Sequence, residues 1–235
     1  MIGPLVLNTR PAEQASELST LLRAAGFGVV EAPAIAIVPA WDAATFESVR
    51  RDLRDGVFDW VVVASQNAGH GLESELRSAG SRVVCGAATA QALSLSDARV
   101  VDRFSATTAL QTLRPLVRVG QRALVPRAAK GREELVDGLR ALDAEVIAPV
   151  AYRTVPASDA ADRLRQGGID VVVLCSPSAA ASVLDAVPVE TMLVCLGETT
   201  ASAVRSRGRA VNAVATRTTM VAVVEAIVAI RGVGV

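Results

Sequence analysis

The residues able to do chemistry in this 235-residue chain stand at the ends of aliphatic runs. Thr9 and Arg10 follow Leu5-Val-Leu7. Ser65, Gln66 and Asn67 follow Trp60-Val-Val-Val-Ala. Gly86 and Thr89 follow Val84-Cys85, and Ser105 follows a third short run. Arg127 ends Ala123-Leu-Val-Pro. Later in the chain Ser176 and Ser178, then Gly197, Thr199 and Thr200, then Thr216 hold the same relation to their own runs. Hydroxyls, amides, glycines and arginines at such places recognise anions through backbone N–H groups and oriented dipoles. The same hydroxyls also suit helix N-caps, so each has a structural use as well. There is no nucleophile–histidine–acid arrangement, no Gly-x-x-x-x-Gly-Lys-Ser/Thr loop and no paired carboxylates. The inventory suits a multiply anionic ligand handled without covalent catalysis.

Metal chemistry has little to stand on. His70 is the only histidine, and Cys85, Cys175 and Cys195 all sit in apolar runs. They read as buried, reduced thiols. No Cys or His cluster exists, so no metal site is expected.

The spacing of these residues repeats. Asp59 and Asp170, Ser65 and Ser176, Gly86 and Gly197, Thr89 and Thr200, and Ser105 and Thr216 are all 111 residues apart. One frame without insertions points to an internal duplication. A second block repeats in another frame, with Arg10 and Arg127 117 residues apart and Pro33 and Pro149 116 apart. The chain therefore reads as block A, block B, block A, block B.

Each A block is a βαβ unit. In the first, Leu5–Leu7 forms a strand, and Leu18, Leu21 and Leu22 share a helix face that ends near Gly26. Pro11 suits the first helical position, with Asn8 or Thr9 as cap. Val29-Val30 then makes a second strand. The second copy has a strand at Ala123, a helix around Glu133–Leu142 and a strand at Glu145–Ile147. Each B block is a buried strand with a hydroxyl-bearing turn, then a strand ending in Gly and a Thr placed to cap a helix. It closes with a strand and a helix, the first running from Ser105 to about Arg118, the second from Thr216 to Ile230. Two Pro-bounded segments, 34–38 and 150–155, read as extended and as candidate linkers that pair into a ribbon.

Composition supports this layout. Hydrophobic residues make up 51% and aromatics 3%, so the core is built from Val, Ala and Leu. That suits parallel sheets covered by helices. Acidic and basic residues balance at 24 each, which argues against a nucleic-acid partner. No run approaches the roughly 20 apolar residues that span a membrane. No signal peptide is expected.

The ordered set of motifs resembles the uroporphyrinogen-III synthase family over nearly the whole chain. The residues are Asn8-Thr-Arg10-Pro, Asp59-Trp-Val-Val-Val-Ala-Ser65-Gln-Asn67-Ala, Gly86-Ala-Ala-Thr89-Ala, Leu124-Val-Pro-Arg127, Ala151-Tyr152-Arg-Thr, Ser176-Pro-Ser178-Ala and Gly197-Glu-Thr-Thr200-Ala. Family members often carry Gly-Pro-x-Thr-Ala, and here Ala87 and Glu198 replace the proline. The resemblance implies two similar α/β parallel-sheet, flavodoxin-like domains joined by a two-stranded extended linker. The middle of the chain, 39–149, makes one domain; 1–33 and 156–235 make the other. It also implies cyclisation of the linear tetrapyrrole hydroxymethylbilane to uroporphyrinogen III, without a cofactor, by a cytoplasmic monomer that could touch the preceding pathway enzyme. Tyr152 takes the catalytic place. Arg10, Ser65, Asn67, Gly86, Thr89, Arg127, Ser176, Ser178, Gly197 and Thr200 take substrate-binding places on two polar rims. A non-enzymatic two-domain module for a small multiply anionic ligand explains the duplication and the rims equally well. It does not explain Tyr152 or the full ordered set.

Overall fold

The computed structural model describes residues 3–131 and 133–231. The ends of the expected end-to-end domain, residues 1–2 and 232–235, lie outside the described residues. The chain divides into two units. One takes the residues up to 36 together with those from 154 onward, and the other takes 37–153.

The chain opens with β1 (Leu5–Asn8), α1 (Ala12–Ala24) and β2 (Gly28–Glu31), and β3 (Ile35–Pro39) leads out of this unit. The second unit contains α2 (Ala43–Arg54), β4 (Trp60–Val63), α3 (Gln66–Gly69), α4 (Glu73–Ala79), β5 (Val83–Gly86), α5 (Ala87–Ala92) and β6 (Arg99–Val101). It continues with α6 (Ala106–Leu113), β7 (Arg122–Leu124), β8 (Arg127–Ala128), α7 (Glu134–Arg140) and β9 (Glu145–Ile147). The strand β10 (Val150–Pro156) leads back. The first unit is completed by α8 (Asp159–Arg165), β11 (Val171–Leu174), α9 (Pro177–Val183), β12 (Met192–Cys195), α10 (Glu198–Arg205), β13 (Ala213–Val214) and α11 (Met220–Arg231).

The first unit's sheet has the order β2-β1-β11-β12-β13, with every neighbouring pair parallel. Counted along the chain this is 2-1-3-4-5, the flavodoxin-like order. The second unit's sheet is β9-β7-β4-β5-β6, again all parallel. Matched by the repeat offsets, β7 stands for β1, β9 for β2, and β4, β5 and β6 for β11, β12 and β13. The two sheets share one neighbour order, entered by the chain at different points. The first A block therefore joins the second B block, and the second A block joins the first B block. The repeated aspartate joins them in each case. Asp170 Oδ2 accepts from Leu5 N at 2.7 Å, and Asp59 Oδ2 accepts from Arg122 N at 2.8 Å.

Both faces of both sheets are buried, which is why the strands read as unbroken aliphatic runs. Successive side chains point to opposite faces. Val172 and Leu174 pack among Leu164 of α8, Val183 of α9 and Val204 of α10. Val171 and Val173 pack on the other side among Leu18 and Leu22 of α1 and Ile227 of α11. In the second unit Val61 and Val63 meet Leu53 of α2 and Leu76 of α4, while Val62 meets Leu113 of α6 and Leu139 of α7. Each such side chain, fully buried, contributes about 1.5–3 kcal/mol, so aromatics are not needed to fill these layers.

The two crossings between units are adjacent strands. β3, β10 and β8 form a sheet in that order. Ala40 N donates to Ala151 O and Ala157 N to Ala34 O, both at 3.0 Å, so β3 and β10 run antiparallel. The spacing predicts two strands here, and the structure adds β8 as a third, parallel to β10 with Arg127 opposite Val150.

Three helix boundaries differ from the sequence reading. Neither Asn8 nor Thr9 caps α1, which starts after Pro11 with no side-chain cap. Both side chains turn inward and are wholly buried. Asn8 Nδ2 donates to Ala15 O and Ser19 Oγ, and Thr9 Oγ1 donates to Val173 O at 2.6 Å. They tie β1 to α1 and to β11. The helix expected from Thr216 starts at Met220, where Thr219 Oγ1 accepts from Ala222 N. The helix after Ser105 ends at Leu113, short of Arg118.

Candidate active site

In a doubly wound sheet the connections leave neighbouring strands toward opposite faces at one point, and a crevice opens beyond the strand ends there. In the second unit that point lies between β4 and β7. Past β4 the chain enters α3, whose Ala68 packs on one face. Past β7 it reaches α7, whose Leu135, Val136 and Leu139 pack on the other. A cavity of about 480 Å³ sits at this place. That falls within the roughly 300–1,000 Å³ of small-molecule sites. Ala64 and Ser65 line it after β4, Val125, Pro126 and Arg127 after β7, and Phe104, Ser105 and Thr107 after β6. Tyr152 reaches it from β10, and Gly131, Glu134 and Leu135 close the remaining side.

Ser65 adopts an extended backbone and its Oγ accepts from Asn67 N at 3.3 Å, capping the short α3. Its hydroxyl proton remains available to donate to a ligand. Ser105 Oγ accepts from Thr108 N, and Thr108 Oγ1 accepts from Ser105 N at 2.8 Å. This reciprocal capping box fixes the loop that carries Phe104. Arg127 is 26% exposed, donates from Nη1 to Glu133 Oε1 at 2.6 Å, and donates from Nε to Ala148 O. Its guanidinium is thus held in place, and an incoming carboxylate competes with Glu133 for it. The Tyr152 ring packs against the core layer around Val49 and Leu124. Among the described residues its hydroxyl has no hydrogen-bond partner, while its backbone carbonyl accepts from Ala129 N.

Of the residues singled out by sequence, the cavity brings together Ser65, Arg127 and Tyr152. Asn67, Gly86 and Thr89 belong to the same unit but do not line it. Gly86 is the N-cap residue of α5, and Thr89 lies in that helix's first turn, 8% exposed. Thr200 repeats this in α10 at 4% exposure, after the N-cap residue Gly197. The two threonines are thus inside their helices and cap nothing. Arg10, Ser176, Ser178, Gly197 and Thr200 belong to the first unit. There Ser176 Oγ caps α9 by accepting from Ala179 N at 3.1 Å, and Ser178 is exposed on that helix. Arg10 donates from Nη1 to Met220 Sδ and from Nη2 to Gln14, and its buried Nε has no partner among the described residues. Burial pushes the neighbouring Cys175 thiol up, and Arg10 acts in the opposite direction. Phe104, Pro126, Thr107 and Glu134 are lining residues that the sequence reading does not single out as ligand groups. Their signal is position alone, Phe104, Thr107 and Pro126 within a few residues after β6 and β7 and Glu134 at the start of α7.

Among the described residues no group of three or more His, Cys, Asp or Glu side chains could hold a metal ion. No helix among them is long and apolar enough to cross a membrane.

The family described as uroporphyrinogen-III synthase HemD matches residues 16–225. The chain belongs to the uroporphyrinogen-III synthase family. The uroporphyrinogen-III synthase of Synechococcus elongatus is 31% identical over 192 residues, covering 75% of this chain and 72% of that protein. Two solved synthase structures share the fold. That of Helicobacter pylori matches with a TM-score of 0.63 at 14% identity, over 97% of this chain and 99% of that one. A mutant of the Thermus thermophilus synthase matches with a TM-score of 0.61 at 18% identity, over 98% and 99%. At such identities the likeness to these two synthases is one of architecture.

Proposed function

We propose that this chain catalyses the uroporphyrinogen-III synthase reaction, closing hydroxymethylbilane to uroporphyrinogen III with inversion of the last ring, and so acts as a hydro-lyase. The observation that carries the reading is the switch-point cavity of the second unit, which gathers Tyr152, Ser65 and Arg127 in a member of this family. In the reaction the C–O bond of the terminal hydroxymethyl group breaks. The hydroxyl takes up a proton and leaves as water, and the cationic carbon left behind is attacked by the far end of the chain. That attack comes from the substituted α-carbon of the last pyrrole and gives a spiro intermediate. The bond from this carbon to its original methylene bridge breaks and re-forms at the ring's other α-carbon, which loses a proton to give the ring-inverted macrocycle. The free Tyr152 hydroxyl suits a donor to the departing oxygen. Arg127 suits one of the substrate's carboxylates, with Ser65 donating beside it.

Much of the acceleration would come from holding the two chain ends together, an effect potentially worth several kcal/mol. Arg10, Asn67, Gly86, Thr89, Ser176, Ser178, Gly197 and Thr200 supply further side-chain or backbone donors for the remaining carboxylates under this reading. It needs no metal and no organic cofactor, and it lets a monomer act alone in the cytoplasm or take its unstable substrate from the preceding pathway enzyme. The test is a coupled assay that generates hydroxymethylbilane in situ, oxidises the products and separates the porphyrin isomers. Isomer III in excess is expected. Isomer I alone, which forms spontaneously, would overturn the proposal.

A further inference from the structure

Gly86, proposed above as a backbone donor to substrate, also lies against a wall of the cavity. Its backbone is extended, with φ −83° and ψ 161°, a conformation open to any residue. The reason for glycine is space. A Cβ built there would lie 2.9 Å from Phe104 Cβ, closer than real side chains approach. Phe104 lines the cavity. Its loop is held by two other devices. Arg103, just before it, has φ +46°, a left-handed conformation uncommon outside glycine. The capping box of Ser105 and Thr108 follows it, and Thr108 Oγ1 also donates to Arg103 O at 3.2 Å. Three local features thus converge on the placement of one aromatic ring.

The other repeat shows what the position looks like without the ring. Residue 215, at the same 111-residue offset from Phe104, is alanine. A Cβ on Gly197 would meet only Thr218 Cγ2, at 3.6 Å, an ordinary contact. The glycine is present in both copies, and only in the second unit does it stand against the Cβ of an aromatic residue, so that a side chain there would push the whole of Phe104 aside. The chain has four phenylalanines and one tyrosine, and one of each faces this cavity.

From these observations we infer that Phe104 is a specificity-determining wall of the cavity, stacking on a flat, electron-rich ring whose anionic arms reach Arg127, and that Gly86 and Arg103 are the residues that position it. The ligand class is a pyrrole carrying carboxylate arms. This rests on the cavity being the substrate site. Offset stacking between aromatic rings adds to simple area burial, and its loss corresponds to about three- to tenfold in affinity.

The test uses the full chain, the monopyrrole porphobilinogen as a binding probe in calorimetric titration, and the coupled isomer assay for turnover. Phe104→Leu keeps apolar volume and loses the flat ring. It is expected to weaken the probe and raise KM by about three- to tenfold with kcat little changed. Phe104→Ala is expected to do more. Gly86→Ala displaces the ring, lowering both Tm and affinity. Adding Phe104→Leu to Gly86→Ala leaves the crowding in place, because leucine keeps the Cβ that the new methyl meets. Tm is therefore expected to stay low while KM stays near the Phe104→Leu level instead of rising by the product of the two effects, a coupling that a purely structural glycine far from the ligand would not show. Weaker probe binding in the variants, with isomer I alone from the wild type, sustains the wall and overturns the synthase reading. Unchanged binding and KM in Phe104→Leu and Phe104→Ala overturn the wall, as does no probe binding by the wild type. Isomer III from the wild type would then leave the synthase reading standing.

Discussion

Removing only the Tyr152 hydroxyl separates chemistry from folding. Its ring packs on a core layer, and its oxygen has no hydrogen-bond partner among the described residues. Tyr152→Phe keeps the ring and leaves no buried partner unsatisfied. Stability is expected to move by no more than about 0.5 kcal/mol, the usual range where no such feature is disturbed. For a chain of this size that is roughly 1–2 °C in Tm. Turnover is expected to fall if this oxygen donates to the leaving hydroxyl. A single assisting proton donor of this kind is worth about 10²-fold, near 2.7 kcal/mol of barrier. KM is expected to hold, because the bond forms only as the C–O bond lengthens. Spontaneous formation of isomer I sets the background, so the assay must report the initial rate of isomer III. An unchanged rate at unchanged Tm would refute the role of Tyr152. A large fall in Tm would refute the account of its packing.

Asp59 and Asp170 accept from the backbone N–H groups of Arg122 and Leu5 in the two units. Replacing either with alanine is expected to cost about 1.5–3 kcal/mol, the range for a hydrogen bond to a charged group. Denaturant melts of the two single variants and the double variant check it, with near-additive losses expected from separate units. Hydrogen bonding from Thr45 to the carboxylate that caps α2 holds Asp42 below its ordinary value. Its contribution to stability is present above the unfolded value of about 3.9 and is lost as pH falls below it. Asp42→Asn keeps a capping oxygen, so its melting temperature should show a shallower drop below about pH 4 than the wild type. An identical acid limb in the two proteins would contradict this.

The α/β class was legible because a strand buried on both faces must read as an aliphatic run, as Val171–Leu174 does. The duplication was legible because Asp59 and Asp170 do the same work at the same offset. Which A block joins which B block was not, since chain order does not state which strands become neighbours; the family resemblance implied that pairing. The strand β8 was missed because two residues after a proline carry no periodicity. Thr89 and Thr200 were misplaced as caps because spacing cannot separate an N-cap from a residue three positions inside the helix. Of the site, Ser65 and Arg127 were readable as polar residues at strand ends, and Tyr152, which stands inside β10, came from the family resemblance. Phe104 was not, because an aromatic after a strand has the same appearance whether it fills a core or walls a cavity.

The shared strand order entered at two different points has a consequence for the chain as it is made. The second unit is contiguous, and every strand of its sheet has been synthesised once Arg153 is added. The first unit cannot close then. Val6 and Leu7, fully buried at the end, rest on β11, whose residues come more than 160 positions later. During synthesis the opening βαβ segment must wait beside a finished neighbour with its apolar faces uncovered, which is the condition that recruits chaperones to a nascent chain.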